Sequence, residues 1–147
     1  MPDKTDKSVR LSGQQVAQLA QQERDKLGEI NRRIASFHNF RNDMYGARDA
    51  LVEIGKNGKG DKMLVNLGAG IFVHATIDET EKGIASLTGN VFRESSCKDL
   101  VKMLEKRIAE IDNAIEKASQ EQQHALARLG QLEQVLSAGI QYLQQQK

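Results

Sequence analysis

Two long stretches of the sequence carry a seven-residue apolar repeat, and this repeat restricts the fold more than any other feature. Spacings of three and four residues alternate, as they do along the seam of a coiled coil. Each stretch predicts a helix of about 40–48 residues, roughly 60–70 Å long. The first stretch has the columns Val9, Val16, Glu23, Ile30, Phe37, Met44, Leu51 and Gly13, Ala20, Leu27, Ile34, Arg41, Arg48. The second has Val101, Ile108, Ile115, Gln122, Leu129, Leu136, Leu143 and Leu104, Ile111, Ala118, Ala125, Leu132, Gly139.

A glycine-rich middle part separates the two heptad stretches and has the period of β-strands. Seven of the twelve glycines lie between Gly55 and Gly89. Apolar residues alternate in KMLVNL and in IFVHATI, which a Gly-Ala-Gly bend joins, and a weaker pair follows in IASL and VFRE. This pattern predicts two β-hairpins over residues 62–93.

Turn and capping residues set the expected helix ends. Gly55 is expected to end the first helix. Ser96, with Asp99 three residues later, is expected to cap the second, and Ser95 is the alternative cap. The predicted organisation is a single domain with a flexible tail at 1–8, a first coiled-coil helix at 9–54, the hairpins at 62–93 and a second coiled-coil helix at 96–146.

Because the two helical stretches are similar in length and flank the insert, they are expected to pack antiparallel. A register with Leu51 opposite Val101 places large residues against small ones, as in the layers Ile34–Ala118, Leu27–Ala125 and Ala20–Leu132. Glu23 and a Gly13–Gly139 layer bury little apolar area, so the seam should be looser near the free ends. The predicted fold class is α+β, a long antiparallel helical hairpin with two β-hairpins inserted between the helices.

The two hairpins together are too small to form a core. Isolated hairpins are marginally stable, and their edges expose unpaired N–H and C=O groups. We therefore expect other subunits to complete a sheet or barrel by covering Met63, Val65, Leu67, Ile71, Val73, Ile84 and Val91.

The sequence contains no set of residues that predicts an enzyme, a cofactor site or a metal site. The Gly-Ala-Gly bend is followed by a strand, whereas a dinucleotide-binding loop requires a helix, and GKNGKGD lacks the Ser or Thr of a P-loop. The three histidines have no metal-ligand spacing. A net charge of about +1 gives no indication of nucleic-acid or membrane binding. One cysteine and the lack of a signal peptide or spanning segment predict a cytoplasmic location.

The free ends of the predicted helices carry apolar residues both in and outside the heptad columns. One interpretation is a broad seam or a shifted register. The other is an exposed apolar patch that binds unfolded protein. The residues concerned are Val9, Leu11, Val16 and Leu19 on the first helix, and Leu132, Val135, Leu136, Ile140, Tyr142 and Leu143 on the second.

Taken together, the two heptad stretches, LVNLGAGIFVHATI at the start of the insert and GNVFRE at its end resemble an alpha-class prefoldin subunit. The resemblance covers nearly the whole chain, and LGAGIFVHATI is its most specific segment. It implies an ATP-independent chaperone of two alpha-class and four beta-class subunits, whose hairpins form a β-barrel platform. The distal coiled-coil ends would capture unfolded polypeptides and pass them to a group II chaperonin.

Two departures from the family pattern bear on the assembly. Asn66 stands where many relatives have proline, and the third predicted strand is short and weakly apolar. An alternative function is therefore a structural coiled-coil protein that forms homo-oligomers or filaments through its β-hairpins.

Overall fold

The computed structural model describes residues 12–146. Along this part of the chain, four strands lie between two long helices. This order confirms the predicted fold class. The elements are α1 (Gly13–Asn57), β1 (Lys62–Gly68), β2 (Ile71–Thr76), β3 (Lys82–Thr88), β4 (Val91–Ser96) and α2 (Cys97–Gln145).

Side-chain caps fix the start of each helix. At α1, the Ser12 hydroxyl accepts a hydrogen bond from the Gln15 N–H at 3.2 Å, and Gln15 Oε1 accepts one from the Ser12 N–H at 2.8 Å. This reciprocal capping box was not predicted. At α2, Ser96 Oγ accepts a hydrogen bond from the Asp99 N–H at 3.1 Å, which confirms Ser96 as the cap.

The predicted end of the first helix at Gly55 was wrong. Helix α1 continues to Asn57, and Gly58 then adopts a φ of 81°. The left-handed conformation that terminates a helix is therefore supplied by Gly58, and Gly55 remains in the last helical turn.

The chain forms two compact units, of which the first combines α1 up to Ser36 with α2 from Ile115. Its buried apolar side chains all come from the predicted heptad columns: Val16, Ala20, Ile30, Ala118 and Ala125. Gln122, also in a column, donates a hydrogen bond to Asn31 Oδ1 at 2.6 Å. The predicted register pairs Asn31 with residue 121, so the observed partner lies one residue away.

Polar pairs join the two helices of the first unit. Arg24 forms an ion pair with Glu133 at 3.0 Å, and Arg33 forms one with Glu121. Each of these four side chains is about half exposed, so each pair contributes roughly 0–1 kcal/mol and mainly fixes the pairing of the helices.

Glu23 is the exception in this seam, because it is a carboxylate in a buried position. The residue is only 8% exposed. Its Oε1 lies 3.3 Å from Nη1 of Arg128, while its Oε2 finds no hydrogen-bond partner in the described part of the chain. A buried oxygen without a partner destabilises the folded state. Glu23 therefore weakens the seam where the sequence predicted a weak layer.

The second unit, residues Phe37–Ala114, contains all four strands and the adjoining helix segments. Leu100, Leu104 and Ile108 of α2 are buried there. Arg41, a column residue, extends to Asp112 at 3.0 Å and donates to His38 Nδ1 at 2.9 Å. Arg41 thus directs two nitrogens of its guanidinium to polar side chains, one on each helix.

The strands form two separate antiparallel hairpins in the described residues. Strand β1 pairs with β2, and β3 pairs with β4. Gly83 of β3 lies against α2, because a Cβ added at Gly83 would be 2.7 Å from Cδ1 of the buried Leu100. This close approach positions the second hairpin on the helix.

Replacing Gly83→Ala is expected to lower the free energy of unfolding by about 1–3 kcal/mol, because Leu100 must leave its packed position. Urea unfolding at one fixed protein concentration, followed by circular dichroism, measures the change. Gly46→Ala is the matched control, since its new methyl would meet no described atom within 4 Å; it should stabilise helix α1 by about 0.5–1 kcal/mol. Equal stability of Gly83→Ala and the wild type would contradict the packing role.

Replacing Glu23→Leu is expected to stabilise the first unit by about 1–3 kcal/mol, because an apolar side chain would replace a poorly paired buried carboxylate. Arg128, which is 64% exposed, can then be solvated. Hydrogen exchange of the α1 amides near residue 23 should slow. The control Glu29→Leu changes an exposed position and should leave exchange unchanged. Faster exchange in Glu23→Leu would show that the ion pair holds the seam.

Candidate functional site

The residues predicted to bind unfolded protein fall into three groups in the structure. Val9 and Leu11 lie outside the described residues. Val16, which is 5% exposed, belongs to the seam, and Leu19, Leu132 and Leu136 are half-buried. The exposed members all lie on α2: Val135, Ile140, Tyr142 and Leu143.

An apolar groove in the first unit brings most of these residues together. Its volume is about 520 Å³, and it is lined by Gly13, Val16, Val135, Leu136, Gly139, Ile140, Tyr142 and Leu143. No described atom lies within 4 Å of a Cβ added at Gly13 or Gly139. The glycine layer predicted to weaken the seam therefore leaves this space open.

The groove is lined almost entirely by apolar groups. No charged side chain is among the described residues of its lining. The Tyr142 hydroxyl accepts a hydrogen bond at 2.8 Å from Nε2 of Gln146, the residue that follows α2, so its polar end already has a partner. A second groove of about 340 Å³ shares Val135 with it and contains Glu23 and Arg128. The main groove can therefore bind apolar groups without selecting a particular hydrogen-bonding pattern.

The hairpins expose the apolar residues that were predicted to contact other subunits. Val65 is half-buried, and the other predicted interface residues are exposed: Met63, Leu67, Ile71, Val73, Ile84 and Val91.

Sequence reasoning missed a second set of exposed apolar residues on the hairpins: Leu64, Phe72, Leu87 and Phe92. The interface predicted for β1 and β2 included residues of one phase of the alternation only: Met63, Val65, Leu67, Ile71 and Val73. The signal was present, because Leu64 and Phe72 occupy the opposite phase of the alternation.

Across residues 12–146, no group of three or more His, Cys, Asp or Glu side chains could hold a metal ion. Within that range, neither helix combines the length and the apolar character that crossing a bilayer requires.

Comparisons with known proteins agree with the geometry. The family model for the prefoldin subunit matches residues 14–142. The chain is 30% identical over 84 residues to the prefoldin subunit alpha of Thermofilum pendens, across 57% of this chain and 65% of that protein. The aligned part thus spans somewhat less than two thirds of that relative.

A solved structure gives independent support for the fold. The chain is similar to a filamentous PFD from Methanocaldococcus jannaschii, determined by cryo-electron microscopy, with a TM-score of 0.68 and 16% identity. The similarity covers 79% of this chain and 96% of that one. The match of the family model over residues 14–142 shows that the chain belongs to the prefoldin subunit family, and its similarity to an alpha subunit supports the alpha-class prediction.

Proposed function

We propose that the chain is a subunit of an ATP-independent chaperone that holds unfolded polypeptides. The observation that carries this proposal is the open apolar groove of about 520 Å³ at the far ends of α1 and α2. Membership of the prefoldin family supports the same role. We propose no catalytic role for the chain. We also propose that it acts in the cytoplasm.

The groove has the properties that binding of many different unfolded chains requires. Exposed side chains such as Ile140, Tyr142 and Leu143 offer non-directional contact, at about 25 cal/mol per Å² of apolar surface buried. A single groove of this size binds weakly. Several grooves in one assembly would raise the total affinity while each contact still exchanges rapidly.

The hairpins would supply that assembly. Their exposed apolar residues require partner subunits, and beta-class prefoldin subunits are the partners we propose, with two alpha-class and four beta-class chains in a complex. Clients would then pass from the grooves to a group II chaperonin. Trp is absent and Leu, Ile and Val predominate in the groove, which favours broad binding over tight binding.

A structural role as a homo-oligomer or filament is the second candidate. The exposed hairpin residues support the structural role as well as they support the chaperone role, because either role provides a partner that covers them. The groove separates the two functions, since a purely structural protein has no use for exposed apolar residues at its helix ends.

Replacing Ile140 and Leu143 by Ser is expected to abolish most of the protection that the assembled protein gives to a denatured client. Both side chains are exposed in the groove, so their loss removes contact area without disturbing the seam. Light scattering of a chemically denatured client, diluted without nucleotide, measures the protection.

The control Leu126→Ser removes an exposed leucine of the same unit that lies outside the groove lining, and it should protect like the wild type. The mass of the assembly should be the same for all three proteins. Undiminished protection by the double variant would refute the groove as the client site, and equal loss in Leu126→Ser would show a non-specific effect.

A further inference from the structure

Helix α2 extends past the point at which α1 begins. The ion pairs of the first unit show that the two helices run antiparallel. Counting the same number of residues along both helices from the Asn31–Gln122 hydrogen bond places Gly13 level with Ile140. Because α2 continues to Gln145, no described residue of α1 is level with its last turn. We call this last part of α2, residues 141–145, the overhang.

The overhang carries exposed residues of the apolar groove. Tyr142 and Leu143 are 62% and 65% exposed, and they line the groove together with Gly13 and Val16 of α1. The chain enters α1 at Gly13, so the residues that precede α1 join it at the groove itself. We call residues 1–11, which lie outside the described residues, the leading segment.

The cap of α1 fixes the point from which the leading segment departs. Ser12 and Gln15 form a reciprocal capping box. At helix starts of this kind, the residue before the cap often packs against the residue four positions after the cap. Here these two residues are Leu11 and Val16, and Val16 lines the groove. The cap therefore favours a leading segment that turns toward the groove.

The end of the leading segment has a sequence that suits this groove. Alternate side chains of an extended chain lie on the same side, so Val9 and Leu11 would share one side and Arg10 would take the other. That arrangement presents only apolar side chains to a lining whose described residues carry no charge. Extended residues 9–11 span about 10 Å, and the overhang rises roughly 7 Å along α2, so the two match in length.

We propose that Val9 and Leu11 bind in the apolar groove of their own chain and compete there with the client. This inference rests on the proposed function of the groove. It makes the two residues an internal competitor, whereas the sequence predicted that they contact the client. A short tether gives an effective concentration in the millimolar range. A contact with a Kd of about 1 mM thus fills the groove about half of the time and weakens client binding about twofold.

The main test measures binding of a client by the full-length chain. The probe is fluorescently labelled lactalbumin that has been reduced and carboxymethylated, and its anisotropy rises on binding. Replacing Val9→Ser and Leu11→Ser together should tighten binding about twofold, because the competitor is removed. Val9→Leu enlarges the competitor and should weaken binding about twofold. Ser8→Ala, in the other phase of the alternation, is the control and should bind like the wild type.

The direction of these changes separates a competitor from a client site. If Val9 and Leu11 contact the client directly, the double Ser variant binds more weakly and Val9→Leu binds more tightly. That result would overturn the proposal, and so would equal binding by the variants and the wild type. Val9→Leu keeps an apolar side chain beside the cap, so its result stands even if the double Ser variant loses helix content by circular dichroism.

A second measurement detects the contact without a client. The chain has two tyrosines, so Tyr45→Phe leaves Tyr142 of the groove as the only one, and it keeps the ring over which Arg48 lies. Fluorotyrosine at Tyr142 then gives a single fluorine NMR signal. We expect this signal to shift when Val9 and Leu11 are replaced by Ser.

An unchanged fluorine signal would refute the contact, whatever the groove binds. A shifted signal in a chain that fails to bind the unfolded client would support the contact and refute the proposed function of the groove. The two failures are therefore distinguishable.

Discussion

A two-stranded hairpin cannot bury both of its faces, and the rest of this structure depends on that constraint. Each of the four strands has one paired edge and one free edge in the described chain. One face of the second hairpin packs against helix α2, where Gly83 lies close to Leu100. Its other face, with Ile84 and Phe92, stays exposed. The hairpins of the described chain therefore keep exposed apolar faces and free strand edges, which partner strands could complete.

The helical seam changes character toward the ends of the helices, and this change creates the groove. Within the first unit, apolar layers and cross-helix pairs such as Gln122–Asn31 hold the helices in register. The buried carboxylate of Glu23 weakens the packing, and the layer of Gly13 and Gly139 adds no side chains to it. Ile140, Tyr142 and Leu143 of α2 are consequently more than half exposed in this part of the unit.

The sequence predicted the features that depend on periodicity, and it failed where a single local contact decides. The heptad columns contain all the buried residues of the first unit, but not Leu100 of the second. The predicted register places residue 121 opposite Asn31, one residue from the observed partner Gln122. The end of α1 was misplaced because both Gly55 and Gly58 could supply a left-handed residue, and periodicity does not distinguish them. Phe72 was missed because a period of two residues shows only which side chains share a face of the hairpin. Whether that face is exposed depends on the neighbours that cover it. Val16 was expected in the client site, yet its column position buries it.

The two kinds of exposed apolar surface differ in the backbone groups beside them, and this difference separates the proposed assembly surface from the proposed client site. Hairpin strands carry free N–H and C=O groups, so a partner strand can bind them in a fixed register and remain bound. Most groove residues project from helix α2, whose N–H and C=O groups are paired along the helix except in its terminal turns. Contact there is hydrophobic and without direction. In the proposed function, one chain therefore combines a lasting interface with a surface that releases its client.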